Sequence, residues 1–174
     1  MNIKVFNFVG NYSLLMIVPY SMYLLRNKNT LFIYYTVGLF FCIMLNLLIK
    51  GIVQQPRPSE DAKLFHLALQ NYKDFIFKDG IPFNIFGMPS GHSQLALYST
   101  IFVYLSTKNV SILFIYGLLS FIIMTQRVYF NYHTMSQVIV GALVGALFGY
   151  TVYFLSQQHL KGLIREKTDD FAIF

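Results

Sequence analysis

Residues 126–137 read QRVYFNYHTMSQ and lie between two long apolar runs. Arg127 precedes His133 by six residues, and Gln137 follows it by four. If a helix begins near His133, Gln137 lies one turn further along the same face, where its side chain can hold one ring nitrogen while the other does chemistry. An arginine, a histidine and an amide at the mouth of an apolar helix pair are costly to bury unless they bind a ligand. Taken alone, the stretch is equally compatible with an interfacial arginine and a packed histidine.

The composition of the chain indicates an integral membrane protein. Of its 174 residues, 56% are hydrophobic and only 11% are charged, whereas a soluble domain usually carries about 25% charged residues. The net charge of +6 is too thinly spread for a nucleic-acid-binding surface and fits basic residues that flank membrane spans. The single cysteine, Cys42, lies inside an apolar run, so neither a disulfide framework nor a metal cluster is predicted.

The hydropathy pattern predicts one domain, residues 1–174, folded as an all-α, multi-pass transmembrane bundle of about five spans. Each apolar run approaches the roughly 20 residues that cross a hydrocarbon core of about 30 Å. The predicted spans are Phe8–Leu25, Leu31–Ile49, Gly91–Thr107, Val110–Thr125 and Thr134–Leu155. Within the last span, small residues at four-residue intervals, Gly141, Gly145 and Gly149, favour the close approach of a second helix.

The longest connection joins the second and third spans. Its middle, Asp61–Phe77, mixes apolar and charged residues in the pattern of one or two amphipathic helices lying at the membrane surface. His66 in this segment and His159 near the carboxyl terminus are interpreted as packed or solvated histidines.

Three polar clusters converge if the chain crosses the membrane five times. The end of span two, the start of span three, the end of span four and the start of span five then emerge on one face. That face gathers Lys50–Pro58, Gly87–Gln94 and Gln126–Gln137. Because the clusters come from distant parts of the chain, their convergence predicts a binding site.

The residue types in these clusters suit phosphoryl transfer. Lys50, Arg57 and Arg127 supply three cations, and arginine can grip phosphate oxygens in a bidentate manner. Ser90 and Gly91 open a helix whose first backbone N–H groups are unpaired and attract an anion. Gly91 lets the backbone come close to the ligand, and Ser90 adds a hydroxyl donor.

Two histidines, His92 and His133, remain for the roles of nucleophile and acid–base catalyst. The clusters contain no group of carboxylates that would hold Mg²⁺. The cationic side chains of the protein are therefore expected to neutralise the charge of the phosphoryl group in place of a metal ion. We therefore expect neither a metal ion nor another cofactor.

These motifs resemble those of a known family. Lys50-x6-Arg57-Pro58, Pro89-Ser90-Gly91-His92 and Arg127-x5-His133 are similar to the three signature motifs of the type 2 phosphatidic acid phosphatase (PAP2) superfamily, which comprises metal-independent lipid phosphatases and related acid phosphatases. The resemblance covers about residues 31–155 and implies a PAP2-like helical core. Nine matched positions in the right order make a chance agreement negligible.

Two positions depart from the superfamily pattern. Gln126 stands where the family usually has serine, and Gln137 stands where it usually has aspartate. The dolichyldiphosphatase branch also carries glutamine at the second position, together with a Gln-x-Pro-Arg-Pro end to the first motif, as in Gln54–Pro58 here. The chain is most similar to that branch, so the departures indicate a subfamily.

The resemblance also implies a role for each residue of the site. His133 would attack the terminal phosphorus and form a phosphohistidine, while Gln137 accepts a hydrogen bond from its other ring nitrogen. His92 would protonate the leaving group and then activate water. The phosphoryl oxygens would be held by Lys50, Arg57, Ser90, Gly91 and Arg127.

The implied partners are a polyprenyl or dolichyl diphosphate and the bilayer, with no nucleic acid. Loop charges give the face opposite the site six basic residues (Arg26, Lys28, Lys108, Lys161, Arg165 and Lys167) against four on the site face outside the motifs (Lys4, Lys63, Lys73 and Lys78). Since basic loops favour the cytoplasm, the site is expected to face the lumen of the endoplasmic reticulum.

Two other functions stay open at this point. One is a lipid phosphatase of different specificity, acting on phosphatidate, a sphingoid-base phosphate or undecaprenyl diphosphate. The other is a non-catalytic membrane module that binds lipid headgroups in the same basic pocket.

Overall fold

The computed structural model describes residues 3–58, 62–71, 77–78, 81–83 and 85–163. It confirms an all-α bundle. The only strands among these residues are two antiparallel strands of two residues each, which pair with Phe77 opposite Pro82. In chain order the elements are α1 (Ile3–Leu25), α2 (Asn29–Val53), α3 (Ala62–Asn71), β1 (Phe77–Lys78), β2 (Ile81–Pro82), α4 (Gly91–Thr107), α5 (Val110–Tyr129) and α6 (Met135–Leu160).

Four helices, α1, α2, α5 and α6, are long and apolar enough to cross a membrane. They extend beyond the predicted spans, because hydropathy marks only the apolar part of a helix and the polar flanks continue the same hydrogen-bonding pattern. The remaining predicted span, α4, has 17 residues, or about 26 Å at 1.5 Å per residue. It packs against α1, α2, α5 and α6 and therefore forms the centre of the bundle.

Helices α4 and α6 run parallel and lie in close contact. The glycines at four-residue intervals on α6 face backbone groups at the same interval on α4, in the pairs Gly141 with Ser90, Gly145 with Gln94, and Gly149 with Tyr98. A Cβ atom added at Gly149 would lie 2.8 Å from the Tyr98 carbonyl oxygen, and one at Gly145 would overlap the Gln94 carbonyl. The predicted close approach is confirmed, and it brings the first turns of both helices to the same end of the bundle.

Buried polar side chains join the helices in pairs. Tyr35 Oη lies 2.8 Å from Ser99 Oγ between α2 and α4, and Ser21 Oγ lies 3.0 Å from Tyr116 Oη between α1 and α5. Such bonds inside a bilayer contribute about 0.6 kcal/mol each on average, so they fix which helix faces meet more than they stabilise the fold.

The segment predicted to contain surface helices holds α3, followed by residues 72–76, which lie outside the described residues. Phe65 of α3 is buried against Phe86, with ring centroids 6.0 Å apart in an edge-on arrangement. This contact holds α3 over the chain segment that leads into Pro89 and α4.

Candidate active site

A cavity of about 350 Å³ lies at the end of the bundle where α2 and α5 end and α4 and α6 begin. Its lining contains six of the eight residues predicted for the site: Lys50, Arg57, Gly91, His92, Arg127 and His133. Asn46 and three leucines, Leu14, Leu47 and Leu95, complete the lining. The two other predicted residues, Ser90 and Gln137, lie behind this surface.

The chain turns sharply between α5 and α6 and so presents His133. The backbone amides of Tyr132 and His133 both donate to the carbonyl oxygen of Arg127, at 3.0 and 3.1 Å. Asn131 takes a φ of 56°, in the left-handed region that asparagine tolerates better than most residues. The side chain of His133 is only 3% exposed. Its position is therefore fixed by the last turn of α5 on one side and the start of α6 on the other.

Gln137 holds the ring of His133 in one orientation. Its Nε2 atom lies 2.8 Å from the carbonyl oxygen of Pro56, which can only accept, so the amide orientation is set. Oε1 then faces two donors, His133 Nδ1 at 3.2 Å and the backbone N–H of Thr134 at 3.2 Å. Because Oε1 can only accept, the proton of the neutral imidazole resides on Nδ1 and the lone pair on Nε2.

The same amide group ties α6 to the loop after α2. Besides Pro56, Gln137 Nε2 contacts Gln55 Oε1 at 3.2 Å, and the Gln55 carbonyl accepts from the Gly87 amide at 2.7 Å. A Cβ atom at Gly87 would lie 2.6 Å from Gln137 Nε2, so a larger residue there would displace the amide. Gln137 thus joins parts of all three sequence motifs.

Burial lowers the pKa of His133 from 6.5 to about 4, and the positive charges of Arg57 and then Lys50 act in the same direction. The hydrogen bonds to Gln137 and the Gly87 carbonyl act the other way and are outweighed. At neutral pH the imidazole is therefore uncharged and its Nε2 is available as a nucleophile.

Three cations meet at the cavity. Lys50 and Arg127 are only 5% and 7% exposed, and Arg57 follows on the loop after α2. Burying like charges together is unfavourable unless an anion binds between them. The cavity therefore suits a ligand with several negative charges, such as a phosphate or diphosphate group.

The first turn of α4 faces this cavity through Gly91 and His92. Ser90 precedes the helix as its N-cap, but its hydroxyl makes no capping hydrogen bond and instead accepts from Ser93 Oγ at 3.1 Å. The Ser90 backbone amide donates to the Gln137 carbonyl oxygen at 3.0 Å. Ser90 is fully buried, so its predicted role as a phosphate donor remains a prediction.

Sequence reasoning missed two asparagine side chains that support the site. Asn11 of α1 accepts a hydrogen bond from Arg127, and Asn46 of α2 donates to Gln94 Oε1 at 2.8 Å and to the Pro89 carbonyl at 3.3 Å. The available signal was their position: each is a polar residue inside an apolar span, where an uncompensated amide is costly. Within the described residues, no three His, Cys, Asp or Glu side chains are grouped so that they could hold a metal ion.

Comparison with known proteins agrees with the fold and with the family that the motifs predict. The model of the PAP2 superfamily matches residues 31–161. The chain therefore belongs to the PAP2 superfamily, as its three motifs predict.

Two curated relatives carry more specific names. The chain is 39% identical over 131 residues to the dolichyldiphosphatase of Saccharomyces cerevisiae, an alignment that covers 70% of this chain and 48% of the yeast protein. It is 33% identical over 134 residues to dolichyldiphosphatase 1 of Homo sapiens, covering 68% of this chain and 50% of the human protein. The chain thus spans about half the length of the curated relatives it matches.

A solved structure shares the fold. The crystal structure of a transmembrane PAP2-type phosphatidylglycerolphosphate phosphatase from Bacillus subtilis superposes with a TM-score of 0.58 at 18% sequence identity. The match covers 94% of this chain and 77% of that protein, so α1 belongs to the common architecture as well as the helices of the motifs.

Proposed function

We propose that this protein is a membrane lipid phosphatase that hydrolyses dolichyl diphosphate, or a related polyprenyl diphosphate, to the monophosphate and inorganic phosphate. The observation that carries the proposal is a neutral histidine, held through Nδ1 by Gln137, at a cavity lined by Lys50, Arg57 and Arg127. Membership of the PAP2 superfamily and the names of the curated relatives support the same reaction.

The first step transfers the terminal phosphoryl group to the protein. His133 Nε2 forms a bond to the terminal phosphorus while the bond from that phosphorus to the bridging oxygen breaks, and the lipid monophosphate leaves with the bonding electrons. Lys50, Arg57 and Arg127, with the backbone N–H groups at Gly91, hold the phosphoryl oxygens as negative charge shifts toward the leaving group. His92, which takes up a proton when the negatively charged diphosphate binds beside it, donates that proton to the leaving group.

The second step releases phosphate. His92, now unprotonated, takes a proton from a water molecule, whose oxygen attacks phosphorus as the bond to His133 Nε2 breaks. The neutral imidazole is restored together with its Nδ1–H bond to Gln137. The carbonyl of Gln137 holds this tautomer in both steps without carrying a charge.

The nature of the leaving group favours a diphosphate substrate over a phosphate monoester such as phosphatidate. A phosphate leaving group has a second pKa of about 6 and needs little help from an acid, whereas the alkoxide from phosphatidate needs a proton. A nucleophile supported by a neutral amide is therefore adequate for a diphosphate. The leucines Leu14, Leu47 and Leu95 on the cavity wall are compatible with the first carbons of a lipid chain.

The proposed location is the endoplasmic reticulum, with the site facing the lumen and a role in recycling the lipid carrier of N-glycosylation. Arg26, Lys28, Lys108 and Lys161 lie at the helix ends opposite the cavity, and basic residues favour the cytoplasmic side. Arg165 and Lys167, which entered the same prediction, lie outside the described residues.

The decisive test is phosphate release by the purified protein from dolichyl diphosphate and from phosphatidate, each with EDTA present. We expect turnover of the diphosphate that survives the chelator, and loss of turnover in His133→Gln with the melting temperature unchanged. Preference for phosphatidate would instead favour a phosphatase of other specificity. Headgroup binding without phosphate release from any lipid would favour a non-catalytic module.

A further inference from the structure

Helix α1 reaches the site although it lies outside the residues matched by the family model. That match begins at residue 31, whereas α1 ends at Leu25. Its first turns pack against the last turn of α5, which carries Gln126 and Arg127. Two asparagines on one face of α1, Asn7 and Asn11, make the contact through their side chains.

The four side chains form one chain of hydrogen bonds whose direction is fixed at one end. The guanidinium group of Arg127 only donates, so Nη2 donates to Asn11 Oδ1 at 2.8 Å. Asn11 Nδ2 must then donate to Asn7 Oδ1, at 3.0 Å. Asn7 Oδ1 accepts a second bond from Gln126 Nε2 at 2.7 Å. Each amide is therefore oriented by the arginine.

The fit between α1 and α5 is specific to these residues. Gln126 is fully buried, and a Cβ atom at Gly10 of α1 would overlap its side chain. Gln126 is also the position where the wider superfamily usually has serine. A longer side chain at this position reaches across to Asn7, and the glycine on α1 makes room for it.

We propose that Asn11 is a positioning residue for Arg127, and that Asn7 and Gln126 hold Asn11 in the orientation this role requires. Asn11 occupies a single N–H donor of the guanidinium group, and Arg127 still lines the cavity. Because an amide is neutral, it orients the arginine without neutralising the charge that binds the ligand. An aspartate at this position would make a stronger bond to Arg127 and weaken its attraction for phosphate.

This inference rests on the proposed function in that Arg127 binds phosphate there, but it is tested by binding alone. The probe is inorganic phosphate, titrated into the purified protein and followed by calorimetry or ³¹P NMR. We expect Asn11→Leu, which is nearly isosteric, to weaken phosphate binding about tenfold or more, from the usual worth of a hydrogen bond to a charged group. KM for dolichyl diphosphate should rise by more than kcat falls.

The matched control is Ser21→Ala. Ser21 also joins α1 to α5, through a 3.0 Å hydrogen bond to Tyr116, but it lies ten residues further along α1 than Asn11. If Asn11 acted only by packing α1 on α5, both variants would lower phosphate affinity alike. We expect Ser21→Ala to bind phosphate as the parent does.

A double-mutant cycle separates positioning from a general effect. In an Arg127→Met background, Asn11→Leu should change phosphate affinity less than about twofold, because methionine has no N–H group to donate to Asn11. Equal losses in both backgrounds, or parent-like binding by Asn11→Leu, would overturn the inference. If Asn11→Leu does not fold, Asn11→Asp provides the test: it keeps an acceptor for Arg127 but loses the donor to Asn7, so its melting temperature is not the readout. Its phosphate affinity should fall, and unchanged affinity would overturn the inference.

Failure of the proposed function has a different signature. A parent protein that binds phosphate but releases none from dolichyl diphosphate or phosphatidate overturns the phosphatase proposal, and the comparison of variants still decides the role of Asn11. A parent that binds no phosphate overturns both.

Discussion

At the scale of single residues, Gln137 shows how an amide can replace a carboxylate beside a histidine. An aspartate accepts hydrogen bonds only, whereas the amide of Gln137 accepts from His133 and donates to Pro56 and Gln55. A carboxylate has no group that could replace the Nε2 donor of Gln137. The glutamine therefore orients the imidazole and also holds the loop that carries Arg57.

Replacing Gln137 separates these two roles. Gln137→Ala removes both and should lower kcat by roughly 10²-fold, the usual worth of positioning a catalytic histidine. Gln137→Glu keeps an acceptor for His133 but sets a carboxylate oxygen against the Pro56 carbonyl, so we expect intermediate activity and a lower melting temperature. Steady-state kinetics and thermal unfolding in detergent measure both. Parent-like turnover by Gln137→Ala would show that this residue does not support the nucleophile.

The pKa of His133, lowered to about 4, predicts how the protein responds to acid. The ring is neutral in the folded state down to about pH 4, whereas in the unfolded chain it gains its proton near 6.5. Its contribution to stability is therefore fully present above about pH 6.5 and is lost as the pH falls toward 4. Titration of ¹³C-labelled histidine by NMR, with the signal assigned by its absence in His133→Gln, checks this. A midpoint near 6.5 would contradict the described environment.

At the scale of helices, the contact between α4 and α6 determines the geometry of the site. The register that pairs Gly141 with Ser90 and Gly145 with Gln94 also aligns the first turns of the two helices. Ser90 and Gln137 are then close enough for a backbone hydrogen bond of 3.0 Å. Small shifts between these helices would move His92 relative to His133.

Gly145→Ala tests this dependence. The new Cβ would overlap the Gln94 carbonyl, and because backbone cannot give way as a side chain can, we expect a loss of about 1–3 kcal/mol in stability together with reduced kcat. Gly117→Ala on α5 is the matched control, since a Cβ there meets nothing within 4 Å. Thermal unfolding and phosphate release should change in the first variant only. Equal behaviour of the two variants would contradict a close α4–α6 contact.

The sequence predicts the helices and the grouping of the motifs because each has a local signal. Apolar runs mark the spans, and the spacing of Arg127, His133 and Gln137 places an amide one turn after a histidine. The polarity of Asn11 inside an apolar span indicates that it has a partner, but the sequence does not identify Arg127 as that partner, since the contact depends on which face of α1 meets α5. The place of Ser90 at a helix start predicts that its hydroxyl binds phosphate, but does not reveal that this hydroxyl accepts from Ser93.

At the scale of the whole molecule, the helix directions predict which lysines lie on each side of the membrane. Lys28 and Lys108 lie at the end of the bundle opposite the cavity. There Lys28 Nζ donates to the Ser106 carbonyl oxygen at 2.8 Å, two residues before Lys108. Lys63 is exposed on α3, near the cavity end. In sealed microsomes, an impermeant amine reagent should label Lys28 and Lys108 from outside and Lys63 only after permeabilisation. Labelling of all three from outside would contradict the proposed orientation.

The parallel arrangement of α4 and α6 also bears on turnover. Each helix start carries a partial positive charge of about half an elementary charge, and both are directed at the end that already holds Lys50, Arg57 and Arg127. So much positive charge attracts a small, doubly charged product as well as a diphosphate. We therefore expect departure of inorganic phosphate to limit the rate. Rapid-quench measurements should detect a burst of lipid monophosphate equal to the protein concentration, and added phosphate should inhibit competitively.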